Sequence, residues 1–194
     1  MTRLALLRHG HTAWNRAGRI QGRSDIPLDP EARAELSKYS LPAAWNTAEI
    51  WASPLERARE TAQIVTGRVP LTNDALIEMN WGDWEGQRGV DLIEDEASGY
   101  RHIEDWGWDY RPPNGESPSD IWHRLAPWLA ELQNDTLAVC HIGIMRVILA
   151  RAWGWDFAGP APFKIKRNRF YVIDLATMTP EPEPVRLTKR GGSA

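Results

Sequence analysis

A lone cysteine, Cys140, stands among 194 residues, so no intrachain disulfide can form and no thiolate cluster is available for zinc. Long apolar runs are also missing. The most apolar later stretch, residues 137–155, is broken by His141, Arg146 and Arg151, which argues against a membrane span. The apolar run ahead of Arg8 is too short for a signal peptide. Positive charge is not in excess: the net charge of -3 argues against nucleic-acid or anionic-membrane binding while leaving room for a local cationic pocket. Together these absences make a reducing cytoplasm the default location.

Hydrophobic residues at 42% and charged residues at 25% describe an ordinary globular protein. The length fits one domain, residues 1–194, with a core that needs no staples. Eleven tryptophans are unusual. Most are expected to pack, because an indole buries a large area and satisfies one N–H; a minority would line a substrate mouth.

Leu4 to Leu7 form a short apolar run of the kind a buried parallel strand shows. Asp29-Pro30 opens a helix to about Tyr39, with Asp as cap and Pro in the first turn. Residues 48–52 read as a strand, and Ser53-Pro54 with Glu56 as a helix start running to about Val65 before Gly67. Residues 73–89 read as a loop and 90–106 as a helix. Ser117-Pro118 caps a helix to about Gln133, followed by a strand at 136–140 and a helix at 144–153. Residues 170–174 make a late strand, 185–188 an edge, and the chain from about 179 a flexible tail. This alternation implies an α/β fold, a three-layer α/β/α sandwich with a mostly parallel central sheet. In such sheets ligands sit beyond the carboxyl ends of the strands. Arg8-His9, residues 53–57 and His141 all fall there.

Each of these residues alone has a plain explanation. Arg8 and His9 would be a solvated strand end, although Gly10 permits close backbone approach to a ligand. Arg57, early in its helix, opposes the helix dipole unless an anion is near; alone it would pair with Glu56 or Glu60. Beside Arg8 it would make a forked phosphate clamp. His141 alone would be a hydrogen-bonded core histidine. Glu78, Asp83 and Glu85 compete in a tryptophan-rich stretch where partial burial would raise a carboxyl pKa, and composition leaves the choice open.

The residues in order carry a resemblance. Leu6 to Thr12 with Trp14, Asn15, residues 18–22, Pro27 and Leu28 resemble the N-terminal signature of the histidine phosphatase superfamily, which includes phosphoglycerate mutases. Residues 53–58 with Thr61 and Ala62, Glu78 with Gly82 and residues 84–86, residues 114–117, and Cys140-His141 through Arg146 are similar to its remaining motifs. The resemblance implies a phosphoglycerate mutase-like fold with a helical and loop cap at about 78–116. It also implies His9 as nucleophile, with Arg8, Arg57 and a protonated His141 holding phosphoryl oxygens. Glu78 would be the acid and base. Asn15, Gln21, Gly22 and Ile142 would border phosphate or substrate, and no metal or other cofactor is implied. Departures are His11 where the family has Glu or Gln, Ile142 where it has a small residue, and no glycine near residues 31–32.

The expectation is therefore a metal-independent phosphomonoester hydrolase working through phosphohistidine on a small phosphorylated metabolite. The span from Glu78 to Pro112 is too short for a mutase insert, which favours hydrolysis. Residues 78–85, Tyr100, Trp106, Trp108 and residues 112–116 are similar to alpha-ribazole phosphatases of cobalamin synthesis, making alpha-ribazole phosphate a candidate. The alternatives are a mutase-type phosphotransferase, a catalytically weak phosphoester-binding protein, and a metallohydrolase using the His9-Gly10-His11 pair as ligands. Monomer and homodimer stay open. An Arg57→Ala variant is expected to lose turnover with little loss of fold.

Overall fold

The structure, a computed structural model, describes residues 2–191. In chain order its elements are β1 (Arg3–Arg8), α1 (Ala13–Arg16), α2 (Pro30–Leu36), β2 (Tyr39–Ser40), β3 (Glu49–Ala52), α3 (Glu56–Thr66), β4 (Leu71–Thr72), α4 (Gly89–Glu94), α5 (Pro118–Glu131), β5 (Thr136–Cys140), α6 (Ile142–Trp153), β6 (Arg169–Asp174), β7 (Thr179–Pro180), β8 (Val185–Arg186) and β9 (Thr188–Lys189).

The apolar run of β1 is buried because the strand is covered on both faces. Leu4 and Leu6 join one core with Ile121 and Leu125 of α5 and Met145 and Ile148 of α6. Ala5 and Leu7 join the other, with Ala32 and Leu36 of α2 and Ala58, Ala62 and Val65 of α3. The period-two alternation of one strand thus feeds two cores and makes three layers. The main sheet runs β4-β3-β5-β1-β6-β7, with β8 also on β6. Strands β4, β3, β5 and β1 are parallel, and β6 pairs antiparallel to β1. Adjacent parallel strands β3, β5 and β1 therefore deliver Ser53, His141 and His9 to the same sheet edge.

Local chemistry sets most boundaries. Asp29 caps α2, accepting from Ala32 N at 2.7 Å ahead of Pro30, and Ser117 forms a capping box with Asp120 at α5. The start of α3 differs from expectation. Its cap is Leu55 without a side-chain bond, while the Ser53 hydroxyl accepts from Leu55 N. The free N–H of Glu56 donates instead to Asp25 Oδ1 at 2.8 Å, a partner supplied by tertiary structure.

The helix expected over 90–106 is only Gly89–Glu94. Glu94 and Asp95 put negative charge at its carboxyl end, where the dipole disfavours it. Beyond it, Tyr100, Trp106 and Tyr110 pack around Trp84. The chain from 179 is not a loose tail over the described residues. β7 and β8 pair with β6, β9 pairs with β2, and Arg190 donates to the carbonyls of Tyr39 and Ile64. The expected flexible end at 191–194 lies largely outside the described residues. Among those residues no helix is long and apolar enough to cross a membrane.

Candidate active site

A cavity of about 230 Å³ opens at the carboxyl edge of β1 and β5, lined by Arg8, His9, Asn15, Arg19, Ile20, Gln21, Glu78, Trp81, Ile142 and Arg146. His9 is held by the turn that follows β1. Its backbone N–H donates to Cys140 O at 3.0 Å, which ties β1 to β5 where both end. Its Nδ1 lies 2.6 Å from Gly10 O. A carbonyl only accepts, so Nδ1 carries the proton and Nε2 keeps its lone pair. Burial, then the charges of Arg57, Arg8 and Arg167, push the His9 pKa well below the usual histidine range. The imidazole is therefore neutral, with its lone pair on Nε2.

Arg8 is mostly buried, and burial with the neighbouring Arg167 pulls it down to about 9, still cationic at neutral pH. Arg57 is fully buried, donating from Nη1 to Ser24 O at 2.8 Å and from Nη2 to Gly22 O at 2.6 Å. It therefore braces the 22–24 loop as well as charging the site. The expectation for Arg57→Ala changes accordingly. Turnover and stability should fall together, the latter by about 1–3 kcal/mol for the stranded carbonyls of buried Gly22 and part-buried Ser24, which thermal denaturation will measure.

His141 stands at the cap position of α6, its ring centroid 5.0 Å from that of His9. Neither ring nitrogen has a partner among the described residues. An imidazolium was expected here. Burial, then His9, Arg57 and Arg8, instead hold His141 well below the ordinary histidine range, so it is neutral in the ligand-free protein.

Of the three competing acids, Glu78 is the one in the cavity. Asp83 accepts from Asn114 Nδ2 at the surface, and Glu85 Oε1 accepts from Ser24 N. Glu78 is buried, and that burial raises its pKa against the opposing pull of Met79 N–H and Arg57. Oε1 accepts from Met79 N at 2.8 Å and Oε2 from Gly143 N at 3.3 Å, the first turn of α6. A Cβ on Gly143 would lie 2.5 Å from Glu78 Oε1 and 3.1 Å from Met79 Cβ. Gly143→Ala should therefore displace the carboxyl and lower kcat about 10²-fold with the fold retained, as steady-state kinetics beside circular dichroism will read.

The loop bearing Glu78 is fixed from outside by Glu116. Its Oε2 accepts from Asn80 N at 2.8 Å, and its Oε1 accepts from Arg23 Nη2 at 2.9 Å and Arg124 Nε at 3.2 Å. Arg124 in turn donates to Ile77 O at 2.8 Å. The Asn114-Gly115-Glu116 motif thus acts on both flanks of Glu78 without entering the cavity.

The neutral candidates divide. Gln21 Oε1 accepts from Thr12 Oγ1 at 2.6 Å and Asn15 Nδ2 at 3.1 Å, leaving Nε2 buried without a partner. Asn15 spends its amide on Gln21 and on Arg167, which donates to Oδ1 at 3.0 Å. Gly22 does not line the cavity. It packs where a Cβ would meet Glu85 Oε2 at 2.6 Å and Met79 O at 2.9 Å, and its carbonyl receives Arg57. Ile142 does line the wall, beside Arg146.

Three cations escaped the sequence reading as site residues. Arg19 and Arg146 line the cavity, and Arg167 donates from Nε to His9 O at 3.2 Å. Arg146 carried a sequence signal, one turn and more into the helix after His141. Arg167 carried none, since it arrives from 158 residues away. His9 and His11 line different cavities, His11 facing Arg16, Glu31 and Arg167, so the two do not converge as a ligand pair.

A family model described as the histidine phosphatase superfamily (branch 1) matches residues 4–186. The chain is 28% identical over 185 residues to the adenosylcobalamin/alpha-ribazole phosphatase of Salmonella typhimurium, covering 89% of this chain and 90% of that one. It is 34% identical over 134 residues to the probable phosphoglycerate mutase GpmB of Escherichia fergusonii, covering 67% and 62%. Among solved structures, TTHB049 from Thermus thermophilus matches with a TM-score of 0.76 at 30% identity, over 96% of this chain and 99% of that one. With one match running from β1 to β8, the chain belongs to branch 1 of the histidine phosphatase superfamily.

Proposed function

We propose that the chain hydrolyses small phosphomonoesters through a phosphohistidine on His9, without a metal. One observation carries the reading. Five of the seven buried side-chain nitrogens without a partner among the described residues belong to Arg8, Gln21, Arg57 and His141. Unpaired buried polar groups are costly, and four of the five nitrogens are N–H donors while His141 is neutral; their concentration around His9 suits a ligand offering several acceptor oxygens and negative charge. A phosphoryl group is such a ligand.

In the first step the lone pair of His9 Nε2 forms the N–P bond as the P–O bond to the alcohol breaks. The proton of Glu78 goes to the departing oxygen, a role served by its raised pKa. In the second step water attacks phosphorus, the N–P bond breaks, and Glu78 takes the proton. Arg8, Arg57 and Gln21 hold the equatorial oxygens, where charge accumulates in the transition state. A bound dianion reverses the field at His141 and lets it take up a proton to join them.

The relative from Salmonella typhimurium, similar over nine-tenths of both chains, suggests alpha-ribazole phosphate as the first substrate to try. The mutase-named relative keeps phosphotransfer to a second alcohol as the competing reading. Assay with alpha-ribazole phosphate and 3-phosphoglycerate, releasing inorganic phosphate, separates them. Turnover should persist in EDTA. Loss in chelator with recovery on adding a divalent ion would overturn the metal-free mechanism, and net transfer without phosphate release would overturn hydrolysis.

A further inference from the structure

A second cavity, of about 260 Å³, adjoins the first and shares Ile142 and Arg146 with it. Its remaining walls include Ile103, Trp155, Phe163 and Ile165, drawn from two distant segments. Those segments are joined by backbone, Gly159 N donating to Glu104 O at 2.8 Å and Gly107 N to Phe157 O at 3.1 Å. The Trp155 and Phe163 rings meet edge to face with centroids 5.7 Å apart. The cavity's apolar walls are interrupted by three charged side chains: exposed Glu104 and Lys164, which cancel in charge, and Arg146 at the junction. Arg146 is half-buried and shares the first cavity with Glu78, so the junction lies next to the group proposed to protonate the leaving oxygen.

We propose that this second cavity receives the alcohol half of the ester and selects alcohols bearing a flat apolar ring. The inference rests on the phosphohydrolase reading and names its substrate class. An apolar cavity of roughly 150 Å³ suffices for benzene, so about 260 Å³ has room for one ring against Ile103, Trp155, Phe163 and Ile165. Arg146 offers donors to one uncharged acceptor between ring and phosphate. Trp84 and Trp106 of the tryptophan-rich stretch pack against one another. The aromatic wall comes instead from the loop after α6.

The test compares kcat/KM for 2-phenylethyl phosphate and ethyl phosphate, primary alkyl esters whose leaving alcohols have similar acidity. The wild-type protein should favour the phenyl ester by about tenfold or more, the range a filled apolar pocket gives. Phe163→Ala, at a half-buried position, should cut that ratio to near one, and Ile103→Ala should cut it in part. A wild-type ratio near one, or an undiminished ratio in both variants, would overturn the cavity assignment while hydrolysis of ethyl phosphate leaves the phosphohydrolase reading standing. No turnover of either ester by folded wild-type protein would overturn both.

Discussion

His9→Ala is expected to lower kcat by roughly 10⁴- to 10⁶-fold, the loss seen when a covalent nucleophile is removed from an otherwise intact site. The position can be tested cleanly. The backbone bond from His9 N to Cys140 O survives the substitution, and so does the anchoring of Gly10 N on Thr61 Oγ1 at 3.0 Å. The variant should also keep its affinity for inorganic phosphate, because Arg8, Arg57 and Gln21 remain. Phosphate inhibition cannot be read from a dead enzyme, so calorimetric titration supplies the binding constant. Turnover within tenfold of wild type would show that phosphorus is attacked by something other than His9.

Glu78→Gln should lower kcat by about 10²- to 10⁴-fold, the usual contribution of a positioned general acid. Glutamine keeps one acceptor oxygen, enough for Met79 N but not also for Gly143 N, and Glu116 still fixes the loop through Asn80 N, so the loop stays in place while the transferable proton is gone. The two roles of Glu78 separate with p-nitrophenyl phosphate, whose leaving group needs no proton. The first step should then run near its normal rate and the second should stall, giving a burst of one nitrophenolate per site. No burst, with both steps slowed alike, would remove Glu78 from the water-activating role. In the wild type the sign of the pH dependence follows from the shifts. Burial raises Glu78 and lowers His9, so acid and nucleophile coexist across a window wider than their ordinary pKa values allow. Rate should fall as pH rises through the raised Glu78 pKa, and on the acid side only well below the usual histidine range.

Where local chemistry decides, the sequence was readable. The run of leucines in β1, the Asp29-Pro30 start and the Ser117 capping box act within a few residues of themselves. The gathering of His9, Arg57 and His141 at one edge followed from parallel strands, and the structure does bring their side chains within mutual electrostatic reach. What stayed hidden depends on distant partners. Asp25 caps α3 in place of Ser53, and Arg167 reaches the His9 carbonyl from the far end of the chain. The aromatic run near Trp106 imitates a helical face, yet its rings are committed to Trp84. The choice of Glu78 over Asp83 and Glu85 needed burial, and the charge state of His141 needed both burial and its cationic neighbours. Residue type alone carries neither quantity.

Phosphorylated enzyme trapped during turnover tests the central claim most directly. Glu78→Gln, incubated with radiolabelled p-nitrophenyl phosphate and quenched in alkali, should hold about one phosphoryl group per chain, consistent with a stalled second step. The label should be stable to base, lost in acid, carried by the peptide containing His9, and absent when His9 is also replaced by alanine. Label on another residue, or turnover of wild-type protein with no label at His9 under any quench, would contradict the account.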